Sequence, residues 1–502
     1  MDLIEKCAIW NENGEYQLIV DAIESLEKEK LTAELISELA RAYNNIGNLK
    51  NSDGQESEEY FYKAIELLKS IEEDLGSQHN WNFRIAYAYF HLDQDVKALH
   101  HFMKALESRP NDQDTMNFIE ACKESLALPR FQKPFAKRVA ICWDVFEREE
   151  AHLRAIIDDK NYQDLIAEFE KVLSVAFDNA SFEVGFNGMK YELILTPEGD
   201  ISRLYKYVYF KNHAPSSIHK HWNILVGRQV EGSRNGNTPK LMLAAFDQKV
   251  SGEDVQVWLT MNENKKFVLE LYCEKLALLQ KENEKEVWWL FNTLLDQALG
   301  EINAMRLIEN VQILKQPKNE KFVLLKDLRD EISNCEVNLS NDPDEFLNEY
   351  LFYSLEPNKD ENADLRLDIF VAMTRHAYLS IDYIDNSTFC VDELHRDGAV
   401  AGFFYFPLYV FAGEDNYNQA VLEFRYHVQE EIERVIGDDV VSVIGGATGI
   451  YYGYIDFIAW DLMELLHKAE EVFEKTSIPW VSYHSFRRDG ESFLIMDHTE
   501  DN

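Results

Sequence analysis

The sequence predicts a multidomain protein: an all-α amino-terminal quarter of repeated helical hairpins, then an α+β region with a hint of two related subdomains. Three observations predict it. Apolar residues recur at helical spacing, in paired short segments, as far as residue 128. Past Pro129 and Pro134 the pattern turns to period-two alternation, interrupted by single long amphipathic helices. And 502 residues are too many for one hydrophobic core. The expected domains are residues 1–128, 135–315 and 322–498.

The clearest hairpin lies at residues 79–112. Ile85, Ala86 and Tyr89 share one helix face, Ala98, Phe102 and Ala105 share another, and Asp93-Gln94-Asp95 breaks the pattern between them. Small Ala86 and Ala98 let two backbones approach, Tyr89 and Phe102 fill the space beside them, and Pro110 marks the exit. This spacing resembles the tetratricopeptide repeat, whose period is about 34 residues. The resemblance covers the first quarter of the chain. Residues 1–31 resemble a degenerate first repeat, with Trp10, the turn Gly14-Glu15-Tyr16 and Ile23 in the matching places. A second repeat starts near Thr32, a candidate helix cap, and carries Leu39-Ala40, Tyr43, Ala64 and Leu68. Tyr43 and Ala64 are 21 positions apart where Tyr89 and Ala98 are 9 apart, so a solvated loop at Asn48–Ser57 is expected to hold the excess. Gln113–Leu128 is expected to be a terminal helix covering the stack.

The resemblance implies a concave groove, lined by the first helix of each repeat, that takes a segment of a protein or peptide partner. Carried over residue by residue, the partner-binding candidates are Arg41, Asn44 and Asn45 from the second repeat. The third contributes Asn80, Phe83, Arg84, Tyr87, Phe90 and His91. One subfamily clamps a terminal carboxylate with several Lys, Asn and Arg side chains. Only Arg84 fits that clamp here, because Glu38 stands where an amide is expected and Ile4 and Ala8 are apolar. For Phe83, Tyr87 and Phe90, packing against the following domain serves equally well as a reading.

After the boundary, Lys137–Asp158 and Tyr162–Phe177 read as helices. Strands are expected at Phe182–Phe186, Lys190–Leu195, Lys240–Phe246, Val255–Met261 and Phe267–Cys273, then a helix at Glu284–Ile302. The composition turns polar at Lys315–Lys321 and again at Asn341–Glu345. In the third region Leu367–Thr374 and Ala399–Phe406 read as strands, and Asn416–Val435 as a helix stopped by Gly437. Val440–Ile444 and Ile450–Tyr454 read as strands around the turn Gly445-Gly446-Ala447-Thr448-Gly449, with Asp456 capping a helix to Lys475. Trp480–His484 and Ser492–Met496 read as closing strands. Both regions thus run strands, a helix of about 20 residues, then a strand. That shared order is the hint of duplication.

Charge and cysteine narrow the function classes. The formal net charge is −40, with about −12 of it in residues 1–130, so no acidic tail accounts for it. Such a surface disfavours direct contact with nucleic acid or an anionic membrane, and suits solubility or a basic protein partner. No apolar run is long enough to span a bilayer, and the acidic start Met1-Asp2-Leu3-Ile4-Glu5 does not read as a signal peptide. Six scattered cysteines without a Cys-x-x-Cys pair point to free thiols in a reducing cytoplasm.

Other clusters carry little chemistry. The glycine run lacks the Lys of a phosphate loop. His219-Lys220-His221 lacks a third metal ligand. Arg375-His376, Asp382, Asp385, Cys390, His395, Arg396 and Asp397 have residue types suited to catalysis, but no motif spacing. Arg487 and Arg488 are expected to pair internally. No catalytic residue, metal or cofactor is assigned. The expected function is a cytoplasmic scaffold or adaptor that docks a partner in its repeat groove. The alternatives are an immunity- or inhibitor-type protein masking a basic enzyme, and an enzyme with its site in the carboxy-terminal α+β region.

Overall fold

The computed structural model describes residues 2–160, 162–230 and 241–499. They form two compact units: Met1–Ala136 with Tyr353–Ala372 and Tyr378–Asn502, and Lys137–Phe352 with Met373–Ala377.

The first unit opens with α1 (Leu3–Glu12), α2 (Tyr16–Glu24), α3 (Ala33–Ser52), α4 (Glu58–Lys69), α5 (His79–Phe90), α6 (Asp95–Ser108) and α7 (Gln113–Ala127). Successive helices pack as antiparallel hairpins on one core. Ala40, Ala64, Ala86 and Ala98 are wholly buried at their crossings, with Phe61 and Phe102 filling the gaps beside them. Gly14 turns the first hairpin with φ +75°, and Thr32 caps α3 by accepting the Leu35 amide at 3.3 Å. Of the loop expected at Asn48–Ser57, the first half is helix, because α3 runs on to Ser52, and Asp53–Ser57 is the connection. Gly47 explains how the longer α3 stays close to α4. A Cβ there would stand 2.9 Å from the Phe61 ring, so only glycine lets that ring lie against the backbone.

The chain then enters the second unit through α8 (Phe135–Asp158) and α9 (Tyr162–Leu173). Strands β1 (Phe182–Phe186) and β2 (Tyr191–Leu195) pair antiparallel. Two elements absent from the expectation follow: α10 (Ile201–Asn212) and β3 (Trp222–Val226), the latter parallel to β2. Every residue from Leu204 to Phe210 is buried, so α10 has no polar face to give it a helical period. Strands β4 (Met242–Ala245) and β5 (Gln248–Ser251) form a hairpin; Lys240, the expected start of this segment, lies outside the described residues. Strands β6 (Val255–Met261) and β7 (Phe267–Cys273) pair antiparallel as expected. The long helix divides at Gly300 (φ +83°) into α11 (Glu284–Leu299) and α12 (Glu301–Leu307), then feeds β8 (Ile308–Ile313), parallel to β7. Strand β9 (Val323–Leu324) completes the order β8-β7-β6-β9. Buried Glu301 accepts the Glu198 and Arg228 amides, while Arg228 bonds Glu183, Glu198 and Asp296 at 2.8, 2.7 and 3.2 Å.

The carboxy-terminal part carries β10 (Leu351–Ser354), β11 (Ile369–Thr374), α13 (Ala377–Asp385), α14 (Phe389–His395), β12 (Val400–Pro407) and α15 (Tyr417–Ile436). Then come β13 (Val441–Gly449), β14 (Tyr452–Ala459), α16 (Leu462–Phe473), β15 (Trp480–Ser485) and β16 (Phe493–Asp497). The strands form one sheet ordered β10-β11-β13-β14-β12-β15-β16. Helices α15 and α16 cover one face through Val428, Ile432, Leu465 and Ala469, packed on Phe404, Ile455 and Phe457. Leu128 and Phe131 join that core, and Lys133 pairs with Glu58 at 2.6 Å, so the helical stack is fastened to this sheet. The hinted duplication does not extend to topology: β7 pairs with the strand after its helix, whereas β12 separates β14 from β15.

Two expectations here are corrected. Gly445–Gly449 is not the turn; these residues lie inside β13, and the chain reverses at Ile450-Tyr451. The glycines serve close approach instead. A Cβ on Gly446 would meet the Tyr454 carbonyl oxygen at 2.5 Å, and one on Gly449 would meet the Asp368 carboxylate at 2.1 Å. Asp456 is not a helix cap but a buried strand residue paired with Arg366, and Asp461 caps α16. Gly446→Ala is therefore expected to cost about 1–3 kcal/mol through overpacking against backbone. Urea denaturation of the variant checks this, and an unchanged midpoint would contradict it.

Candidate functional site

The first helices of the three hairpins, α1, α3 and α5, present their polar residues toward a common hollow. A cavity of about 360 Å³ is lined there by Asn11, Arg41, Asn44, Asn45, His79, Asn80, Phe83, Arg84, Tyr87, Arg109, Asp112 and Asp114. Seven of the nine sequence candidates are among these residues. The two others do not line it: Phe90 packs on Phe118 at 5.4 Å, and His91 stacks on Phe61 at 4.9 Å and lies 4.5 Å from the Tyr87 ring.

Spacing explains the convergence. Arg41, Asn44 and Asn45 lie within one turn of α3, and Asn80, Phe83, Arg84 and Tyr87 follow at three- and four-residue steps along α5. The two helices are bonded through their polar residues. Asn44 Nδ2 donates to the Arg84 carbonyl at 2.8 Å. Arg84 donates to Ser37 Oγ at 2.6 Å and to Glu38 Oε1 at 2.7 Å, and Arg41 donates to the other oxygen of Glu38. One carboxylate thus neutralises much of two guanidinium groups. Asn45 Nδ2 donates to Asn11 Oδ1 at 2.8 Å, across 34 positions of sequence.

The aromatic candidates have a structural duty as well. Phe83 packs edge-on against Phe102 and Phe118, and Tyr87 against Phe118, so both anchor α7 to the stack. Burial pushes the Tyr87 phenol up to about 12, which keeps it neutral. At the other end His79 lies 3.3 Å from the Thr115 hydroxyl and 3.5 Å from Asp112.

Asn11, His79, Arg109, Asp112 and Asp114 line the cavity but are not among the sequence candidates. Asn11 stands 34 positions before Asn45, the asparagine it accepts from. Asp112 caps α7 through the Thr115 amide at 3.0 Å, and belongs to a connection that repeat spacing does not reach.

The residues with catalytic side-chain types are held at several separate places. His376 Nε2 lies 2.9 Å from Ser202 Oγ, both wholly buried in the second unit. In the first unit Asp382 accepts the Cys390 amide at 2.8 Å, and Arg396 pairs with Glu393 at 2.8 Å. His395 stands 3.5 Å from Asp95, and both are buried where α6 meets the sheet domain. His484 lies within 3.0 Å of the Ser485 and Gly490 carbonyls. Arg487 and Arg488 pair with Asp392 and Asp364, both at 2.6 Å. Among the described residues no group of three His, Cys, Asp or Glu side chains is placed to hold a metal ion, and no helix is long and apolar enough to cross a membrane. All six cysteines are free thiols.

Compared with known proteins, the chain matches no protein-family model and no curated protein.

Proposed function

We propose that the helical stack is a tetratricopeptide-type docking module, and that the protein is a cytoplasmic adaptor whose groove takes a segment of a protein partner. The observation that carries this reading is the cavity built by one helix from each hairpin. Two features support the repeat register. Ala40, Ala86 and Ala98 are wholly buried at crossings where small residues are required. Asn11 and Asn45, 34 positions apart, meet on the same wall. Free cysteines agree with a reducing compartment.

Rim residues make the cleanest test, because Phe83 and Tyr87 also hold the fold. Asn80 is exposed at the cavity mouth. Asn80→Arg adds bulk and charge there without touching the core. Affinity capture with the intact protein is expected to lose its specific partner at least about tenfold in the variant, a loss of roughly 1.4 kcal/mol, with thermal stability unchanged. Equal capture by both proteins would remove the groove from the function.

A further inference from the structure

A cavity of about 400 Å³ lies within the second unit, against β3. Ile224, Leu225 and Val226 all line it. Side chains of consecutive strand residues point to opposite faces of a sheet. One cavity touches all three only by lying along the strand's edge, where the main chain is presented.

That edge is free. The three-stranded sheet is ordered β1-β2-β3, so β3 has a strand neighbour on one side alone. Its bonds to β2 come from the odd-numbered residues. The His221 carbonyl accepts the Tyr191 amide at 2.9 Å, and the Gly227 amide donates to the Leu195 carbonyl at 2.8 Å. The register Leu193↔Ile224 continues this alternation through Asn223 and Leu225. The N–H and C=O groups of Ile224 and Val226 therefore point away from β2, and among the described residues no hydrogen bond satisfies them. Both side chains are buried, so what these two residues offer the cavity is backbone.

Two donor–acceptor pairs about 7 Å apart along a strand match the edge of another extended chain. The walls restrict what reaches them. Lys211 and Asn212 at the end of α10, with His219, Gln229, Asn341 and Pro343, flank the edge. A single chain fits beside β3, where a second sheet would meet these walls. Charge narrows the choice further. No carboxylate lines the cavity, and Lys211 already donates to Asp344 at 2.8 Å, as Asn212 does at 3.2 Å. His219 is the other ionisable lining residue. An uncharged stretch enters such a place without stripping water from an ion that finds no partner there.

We propose that β3 is a strand-addition site. A short, uncharged, extended segment of a partner protein lies along it and exchanges main-chain hydrogen bonds with Ile224 and Val226. The site uses no residue of the helical groove and does not rest on the docking reading above.

The probe is a phage-displayed library of uncharged dodecapeptides, selected on the full chain carrying Asn80→Arg so that peptides taken by the helical groove are selected against. Hydrogen exchange is then read residue by residue with and without a selected peptide. Exchange of the Ile224 and Val226 amides is expected to slow at least about tenfold, while Asn223 and Leu225, already bonded to β2, change less than about twofold. N-methylation of alternate peptide amides in one register is expected to weaken binding at least about tenfold, and in the other register less than about twofold. Ile224→Pro removes one free N–H and no ladder bond, so it is expected to weaken binding about tenfold, with the melting temperature establishing that it is folded. No selected peptide, protection that misses Ile224 and Val226, or methylation effects indifferent to register would each overturn the proposal. Protection of these two amides that rises with the concentration of the chain alone assigns the edge to a second copy and overturns the partner segment.

Discussion

Arg366→Ala is expected to destabilise the first unit by about 3–5 kcal/mol, the usual consequence of stranding one member of a buried ion pair. Arg366 is 3% exposed and Asp456 1% exposed, and two guanidinium nitrogens bond the two carboxylate oxygens. Burial works against the charge on Arg366, and Asp456 outweighs it, so the guanidinium is held well above its ordinary pKa. Phe486, Phe403 and Tyr454 surround its cationic carbon at 4.8, 5.0 and 5.4 Å. These rings exclude water and supply their negative faces. The same residue starts a second chain of bonds. Its amide donates to the Tyr454 hydroxyl at 3.0 Å, Tyr454 donates to Asp368 at 2.6 Å, and Asp368 accepts the Tyr451 and Tyr452 amides at the tip of the β13–β14 hairpin. Losing the Arg366 side chain therefore leaves a bare carboxylate on β14, while the main-chain amide that starts the chain to the turn is retained. Asp456→Ala should cost a similar amount, whereas Arg366→Met combined with Asp456→Leu should recover much of the loss, since apolar pairs of similar volume replace buried ions at little cost. Urea midpoints of the three variants decide it. Single losses under about 1 kcal/mol would show that the pair does not hold this sheet together.

The contrast between what spacing revealed and what it hid follows from where each residue finds its partner. The hairpin at residues 79–112 was legible because its contacts are made between residues a few turns apart, and Ala86, Ala98 and Phe102 are buried as their spacing implies. Helix α10 was not, because it is covered on all sides and an apolar period needs one wet face. Gly445–Gly449 misled for a related reason. Glycine marks turns when only local geometry is considered, yet here Asp368 and Tyr454 crowd onto the strand from elsewhere in the chain. Asp456 likewise looked like a cap because its partner lies 90 positions away. At the candidate site, repeat register placed Arg41, Asn44 and Arg84 in one hollow. It could not show that Glu38 would bind both arginines, nor that Asn44 would keep an idle acceptor, because those facts depend on rotamers across two helices.

Acid is expected to act in opposite senses on the two units. In the helical stack His91, between Phe61 and Tyr87, is pushed down from 6.5 to about 4 by burial. His101 is pushed down equally, by burial first and then by His100, Lys104 and Lys69. The unfolded chain takes up these protons near pH 6.5 and the folded chain does not. Their contribution is thus intact above about pH 6.5 and is lost as pH falls toward 4. Each tenfold loss of proton affinity on folding is worth about 1.4 kcal/mol, so each ring withdraws on the order of 2 kcal/mol once partial access to water is allowed for. In the second unit the sign reverses. Burial, and then Glu301, raises the Asp296 carboxyl well above 3.8, and burial raises Glu301 as well. Their contribution is fullest near pH 4 and fades as pH rises through the raised values. Hydrogen exchange followed by mass spectrometry separates the two effects. After correction for intrinsic rates, protection of α5 and α6 should fall between pH 6.5 and 4 while protection of α11 holds or rises. His91→Phe keeps the stacking on Phe61 without a titrating ring and should flatten the slope in α5. If α5 and α11 instead lose protection together, the acid response belongs to the chain as a whole and not to these buried groups. The candidate groove is built on α5, so the same titration also sets the pH below which it should stop binding.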